Sequence, residues 1–363
     1  MSVMATRRTL IFPAGMPRSL AYLEACLREG KDVIGASSLD FDPTRERYAA
    51  WAQLPFVNAQ EFDAVLVALL EREHITEIFT PNPVIWHHLH QRLPRIAPTV
   101  SLANASPAQH EMEPYRAARK KAEQHLADSH AVLSGDAKAP MEVGALAALY
   151  RHAETIPGMC DHLKLRALCE IARDCPRGDL VEIGSWWGKS AFILLRLAQT
   201  YGIGRLYCVD PWSDAHLVQG GAASVVDLVS TQYSAEEAFQ VFLLNLRPYA
   251  HGDLSYLRCP SAEGAARYRA GNQITTAEFG NAKPAGAIAL LHIDGNHSYA
   301  CAKEDIASWA PAVAQGGWII VDDYVWPFGD GPKRAGDEYL EANADRIAMS
   351  FVTGSALFIR LRA

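Results

Sequence analysis

The chain reads as an α/β protein in two parts, a smaller parallel-sheet unit followed by a larger parallel sheet closed by an antiparallel hairpin. Three observations predict this. Strand-like and helix-like stretches alternate along most of the 363 residues, the pattern of parallel βαβ units. A polar stretch carrying Arg116, Arg119, Lys120 and Lys121 at helical spacing interrupts the alternation once. Near the end, two strand-like runs flank Thr353-Gly354-Ser355, a turn sequence suited to a hairpin.

The first part is assigned to residues 1–105. It starts with a strand at 9–13 and a helix at 19–29. A strand at 32–36, a helix at 61–73, a strand at 77–80, a helix at 84–92 and a strand at 99–102 follow. Residues 106–141 form a helical linker. The second part, 142–363, opens with helices at 142–155 and 163–174, each with an apolar stripe. Strands at 179–183, 205–209, 254–259, 287–293 and 318–321 are short apolar runs of the kind buried on both faces. The runs 348–352 and 356–361 make the hairpin.

Composition narrows the function before any motif is read. Hydrophobic residues make up 49% and charged residues 21%, ordinary globular content that excludes extensive disorder. Lys+Arg 34 against Asp+Glu 41 gives −7. Nucleic acid and anionic membranes call for a clustered basic face, so neither is expected and a small-molecule partner is. No apolar run is long enough to span a membrane, and Arg7 and Arg8 precede a short strand rather than a signal-type apolar core. The expected location is the cytoplasm. The seven cysteines are scattered without a CxxC spacing, so reduced thiols are expected rather than disulfides or a zinc site.

The segment Leu180-Val-Glu182-Ile-Gly184-Ser185-Trp-Trp-Gly188-Lys-Ser190 leaves a predicted strand and opens a predicted helix. Glycines there let a ligand approach the main chain, and the helix start offers free N–H groups. The full GxGxxG is missing, so a ligand smaller than a dinucleotide is expected. Gly184 and Gly188 are also one residue too close for a P-loop. Asp210 ends the next strand, where an acid can take ribose hydroxyls. The alternatives are a tight turn for the glycines and a helix cap for Asp210. Farther on, Asp294 ends one strand and Asp322 and Asp323 end the next, with His297 one turn past Asp294. Clustered carboxylates repel and call for a cation, and oxygen ligands favour Mg²⁺, Ca²⁺ or Mn²⁺. His297 can take a proton near neutral pH, or be a surface turn residue. His292, inside an apolar strand, reads as a hydrogen-bonded core histidine.

These residues resemble the class I S-adenosylmethionine-dependent methyltransferases. The similarity is closer to magnesium-requiring, antibiotic-tailoring sugar O-methyltransferases, through His292-Ile-Asp294-Gly-Asn-His297-Ser-Tyr299 and Gly316-Gly-Trp-Ile-Ile-Val-Asp322-Asp323-Tyr324, and it covers the chain from about residue 156 onward. It implies a Rossmann-like class I methyltransferase sheet and S-adenosylmethionine held by Glu182, Gly184, Ser185, Gly188, Ser190, Asp210, Ser261 and Asp294. It also implies a divalent cation, Mg²⁺, on Asp294, Asp322 and Asp323, and His297 as general base with Asp294 beside it. The acceptor would be a hydroxylated small molecule, a sugar or natural-product intermediate. Trp186 and Trp187 stand where the superfamily has small residues, so aromatics are expected to cover the methionyl end of the cofactor. Trp212, Tyr324 and Trp326 follow strand ends and either wall the acceptor pocket or pack beneath the loops. Transfer to nitrogen or carbon, a related hydroxylation, and a non-catalytic cofactor-binding scaffold are the alternative readings.

The first part resembles the small α/β domain that precedes ATP-grasp folds, through Phe12-Pro-Ala-Gly15-Met-Pro-Arg-Ser19, the stretch from Ala36 to Pro43, and Thr80-Pro-Asn-Pro-Val84. No ATP-grasp body follows, so ATP hydrolysis is not implied. The domain is read as a structural appendage, with acceptor placement or an oligomer interface as alternatives, and a homo-oligomer is expected. His87, His88 and His90 sit on a predicted helix with no partnering cysteines or acids and are read as an exposed or capping cluster rather than a metal site.

Overall fold

The computed structural model describes residues 8–128, 137–216 and 232–363. Arg7 and the linker residues 129–136 lie outside them. The chain divides into two compact units, Met1–Ala117 and Ala118–Ala363. The division falls inside a helix of the expected linker rather than at either of its ends.

The first unit comprises β1 (Arg8–Ile11), α1 (Pro17–Arg28), β2 (Asp32–Ser37), β3 (Ala50–Gln53), α2 (Phe62–Arg72), β4 (Ile75–Phe79), α3 (Pro83–Ile96) and β5 (Ser101–Leu102). Its sheet is all parallel, in the order β3-β2-β1-β4-β5. Leu10, Ile34, Leu66, Ile78 and Leu89 share one core. Asn82 starts α3 by accepting from the amides of Val84 and Ile85, with Pro83 in the first turn. Strand β3 was not expected: in Ala50-Trp-Ala-Gln only the tryptophan favours a strand by itself. Of the three histidines, His88 meets Asp63, at 2.7 Å, and His90 stacks on Trp86.

Helix α4 (Pro107–Ala127) runs across the division, and its Ala118 and Ala122 are buried in the core of the second unit. His125 near its end bonds the Tyr150 hydroxyl at 2.9 Å and Glu170 at 2.8 Å. Then come α5 (Val143–Thr155), α6 (His162–Ala172), β6 (Asp179–Ile183), α7 (Lys189–Tyr201), β7 (Leu206–Val209), α8 (Ala235–Leu246), β8 (Leu254–Leu257) and α9 (Ser261–Arg269). A short hairpin, β9 (Ile274–Thr276) and β10 (Gly280–Ala282), precedes β11 (Ile288–Ile293), α10 (Tyr299–Trp309), β12 (Val313–Val321), α11 (Gly331–Ala342), β13 (Ile347–Thr353) and β14 (Ala356–Leu361). That hairpin was not read from the sequence, its strands being three residues each.

The second sheet has the order β13-β14-β12-β11-β6-β7-β8, with every strand running the same way except β14, which is antiparallel to both its neighbours, β12 and β13. It is the expected Rossmann-like sheet with its terminal hairpin. The strand order reverses between β6 and β11, the place where open α/β sheets bind ligands. Register then decides which residues meet there. Ile183 is level with Val209 and with Ile293, and Ile293 with Val321. The ladder continues one residue further: the amides of Gly184, Asp294 and Asp322 donate to Val209, Ile183 and Ile293 at 2.9, 2.8 and 2.9 Å. Asp210, Gly184, Asp294 and Asp322 therefore stand in one row along the carboxyl edge. Among the described residues, no helix is long and apolar enough to cross a membrane.

Candidate active site

The loop after β6 turns sharply, with positive φ at Gly184, Trp186 and Gly188. A Cβ on Gly188 would stand 2.7 Å from Leu246. Helix α7 starts next to it without a capping side chain, leaving its first amides available to a ligand. Among the described residues, the non-glycine positions with positive φ are His74, Trp186, Trp212 and Asp323, and three of these four border this edge. Such strain persists where surrounding structure imposes it, and it marks functional sites.

Asp210 is turned toward this loop. Its Oδ2 accepts from the amides of Ser185 and Trp186, both at 3.0 Å, and its Oδ1 from Trp212 at 2.7 Å. A carboxylate accepts about four hydrogen bonds, so little capacity is left for a ribose. Burial raises the Asp210 carboxyl above its usual range against those three amides. Glu182, also expected on the cofactor, is not exposed to a ligand at all. It lies within β6 with no exposure, accepts from the Ser185 hydroxyl at 2.6 Å and faces His292 Nδ1 at 3.2 Å. An interior strand residue with its partners below the sheet edge cannot reach a ligand above it. Ser185 is thereby turned inward too, and Ser190 is buried in α7. Ser261 starts α9 and accepts from the Trp309 indole at 3.0 Å.

The carboxylates separate into two groups. Asp322 and Asp323 are successive residues, whose side chains point apart at a strand end. Asp322 is buried and bonded to the ammonium of Lys164, a fully buried residue of α6. Ser355 at the hairpin turn donates to Asp322 Oδ1 at 3.1 Å, and the Asp323 amide donates to the same oxygen at 3.0 Å. Burial by itself would raise the Asp322 carboxyl, but Lys164 and His292 hold it well below the usual range. His292 is a core residue, as expected. Burial disfavours its charge, yet Asp322 and Glu182 push it up to about 9.

Asp323 faces the other way, with Oδ2 at 3.0 Å from His297 Nε2. Asp294 Oδ1 is 3.9 Å from the same nitrogen. Both His297 nitrogens are buried and without a hydrogen-bond partner; the contact with Asp323 is close but not aligned as a hydrogen bond. Burial favours the neutral ring, but Asp294, Asp323 and Asp322 outweigh it and hold the imidazole above its ordinary value. Asp323 is pushed up to about 6 by burial and by the charge of Asp294. Trp326 lies tilted against His297, ring centres 4.7 Å apart.

Among the described residues, ligand-type atoms lie within 4.8 Å of one another in two groups, His292–Asp294–Asp322 and Asp294–His297–Asp323. The three aspartates do not fall together in either group, and Asp322 is bonded to Lys164. The second group fits a divalent cation by its chemistry, two carboxylates with an imidazole whose nitrogens make no aligned hydrogen bond. Sequence reasoning missed Lys164. Its signal was a charged residue in the apolar stripe with Leu165, Leu168 and Cys169.

Residues 181–324 match the family described as a methyltransferase domain. This segment is a methyltransferase domain. The match runs from β6 to just past Asp323, and so contains the glycine loop, Asp294, His297 and both strand-end aspartates. No curated protein matches the chain. Among solved structures, the O-methyltransferase NovP is similar at 18% identity over 55% of this chain and 80% of that one, with a TM-score of 0.41. CalS11, a calicheamicin methyltransferase, is similar at 18% over 71% and 94%, with a TM-score of 0.41. MycE, a mycinamycin-pathway methyltransferase solved with Mg and SAH, is similar at 17% over 51% and 46%, with a TM-score of 0.30.

The aromatic residues of the methyltransferase domain divide by role. Trp212 is a packing residue rather than a pocket wall, buried against Phe239 and Phe242. Tyr324 donates its hydroxyl to Asp337 at 2.5 Å. Trp186 and Trp187 lie side by side above the glycine loop, 5.5 Å between ring centres, with Tyr233 edge-on to Trp187 at 5.0 Å. Trp326 is the aromatic that borders His297.

Proposed function

We propose that the chain transfers a methyl group from S-adenosylmethionine to a hydroxyl of a small-molecule acceptor, a sugar or natural-product intermediate, with His297 as general base. The observation that carries this is the His297 imidazole, its nitrogens buried and without an aligned hydrogen bond, set between Asp294 and Asp323 at the strand ends beside the glycine loop. In the reaction the acceptor oxygen forms a bond to the methyl carbon, the sulfonium carbon–sulfur bond breaks, and the acceptor proton passes to His297 Nε2. The product thioether is neutral. The donor is assigned to the main chain around Gly184 and Gly188, with Ser190, Ser261 and Asp294 at its border. Trp186 and Trp187 would exclude water from the sulfonium. Asp294 and Asp323 would hold a divalent cation, Mg²⁺, which when bound makes a ligated hydroxyl more acidic. The remaining work of the site is alignment of oxygen, carbon and sulfur. The first unit is read as an appendage to this chemistry.

The test is incubation of the full chain with S-adenosylmethionine labelled in its methyl group and a panel of hydroxylated sugars and aglycones. Label on oxygen, lost in His297→Ala while adenosylhomocysteine binding persists, is the expected result. Label on nitrogen or carbon, or no binding of adenosylhomocysteine, overturns the reading.

A further inference from the structure

We infer that Lys164 is the resident cation of the carboxylate cluster and that Asp322 serves to hold it, so that a divalent ion is carried by Asp294 and Asp323 without Asp322. The inference rests on the reading above for the position of that ion, and its argument is geometric. Lys164 is 1% exposed, and a buried ammonium is tenable only beside anions. Its Nζ bonds Asp322 Oδ2 and lies 3.7 Å from Asp294 Oδ2. Asp322 has little room for another partner. Oδ2 takes Lys164 and faces His292 Nε2 at 3.6 Å, while Oδ1 takes the Ser355 hydroxyl and the Asp323 amide. Three of the roughly four acceptor positions of a carboxylate are thus filled.

The ammonium is also fixed in place. Asp161 caps α6 by accepting from the amides of Leu163 at 2.7 Å and Lys164 at 2.9 Å. The β13–β14 turn closes on that cap, since a Cβ on Gly354 would stand 2.5 Å from Asp161 Oδ2. Asp294 then divides its oxygens, Oδ2 toward Lys164 and Oδ1 toward His297. A divalent ion is repelled from the Lys164 side and admitted on the His297 side. Lys164 is a positioning residue for Asp294, not a base.

The experiment is a double-mutant cycle read by Mn²⁺ binding in electron paramagnetic resonance, with thermal unfolding by circular dichroism on every variant. Asp322→Asn releases the ammonium to close on Asp294 and should weaken Mn²⁺ binding. Adding Lys164→Met should restore affinity to within about fivefold of the wild-type chain, because both the charge and its holder are gone. If that pair fails to fold, Lys164→Gln with Asp322→Asn, which keeps hydrogen-bonding groups at both positions, gives the same reading. A folded double variant still more than about fivefold weaker would show Asp322 to be a metal ligand and overturn the inference, as would absence of Mn²⁺ binding by the wild-type chain. Neither measurement uses the methyl donor, so failure here is distinct from failure of the O-methylation reading.

Discussion

A Cβ on Gly184 would stand 2.1 Å from the carbonyl oxygen of Asp294. The glycine loop and the strand end that carries the central carboxylate thus touch main chain to main chain. Gly184→Ala meets both this contact and a φ of +79°, and neither partner is a side chain that can swing aside. We expect it to lower stability by about 1–3 kcal/mol and to abolish adenosylhomocysteine binding. Thermal unfolding and calorimetry check the two effects separately.

His297→Gln is expected to slow methyl transfer by roughly 10²- to 10⁴-fold, the usual contribution of a positioned base. Adenosylhomocysteine affinity should stay unchanged, because the ring faces Asp323 and Trp326 rather than the glycine loop. Single-turnover kinetics beside calorimetry distinguishes a chemical defect from a binding one.

Asp305 on α10 gives the fold a pH dependence. Its carboxyl is pushed up to about 6 by burial, helped by the charge of Glu304 and opposed by a hydrogen bond from Ser261. The folded value lies above the unfolded one, so the stability contributed by the protonated acid is complete below the unfolded value, ~3.9, and lost as pH rises through about 6. Asp305→Asn removes that loss. Urea unfolding should show the variant gaining about 1–3 kcal/mol over the wild-type chain between about pH 4 and pH 7.

The second unit is expected to fold and bind adenosylhomocysteine when started at Pro107, which keeps α4 whole. A chain started at Glu142 lacks Ala118, Ala122 and the His125 bonds to Tyr150 and Glu170. It leaves Glu170 with Arg173 as its remaining ion-pair partner and should unfold several degrees lower, by roughly 2–4 °C per kcal/mol lost. Differential scanning of the two proteins decides it.

The strand ends of the second unit were legible because each apolar run stops at a residue with evident chemistry: Ile183 at Gly184, Val209 at Asp210, Ile293 at Asp294, Val321 at Asp322. Register then needed only the parallel sheet to bring them level. Side-chain direction was not legible. Nothing in Asp322-Asp323 says which carboxylate turns inward, and that depends on Lys164, a helical residue whose place under the sheet is a tertiary fact. Glu182 and Asp210 carry a related ambiguity, since a strand acid can serve the loop above it as readily as a ligand. Strands β9 and β10, three residues each, are too short for periodicity to register, and β3 has only Trp51 to favour a strand.

Ser355 and Gly354 reach the site from the turn of the hairpin β13–β14, one on Asp322 and the other on the cap that orients Lys164. A ribosome makes this turn only after every other residue of the cluster. Until it emerges, the glycine loop and the His297 segment can already have formed while the buried ion pair lacks two of its fastenings. The buried ion pair is therefore the last part of the cluster to receive its full set of contacts during synthesis, and β14, which joins β13 to the sheet, follows the same turn.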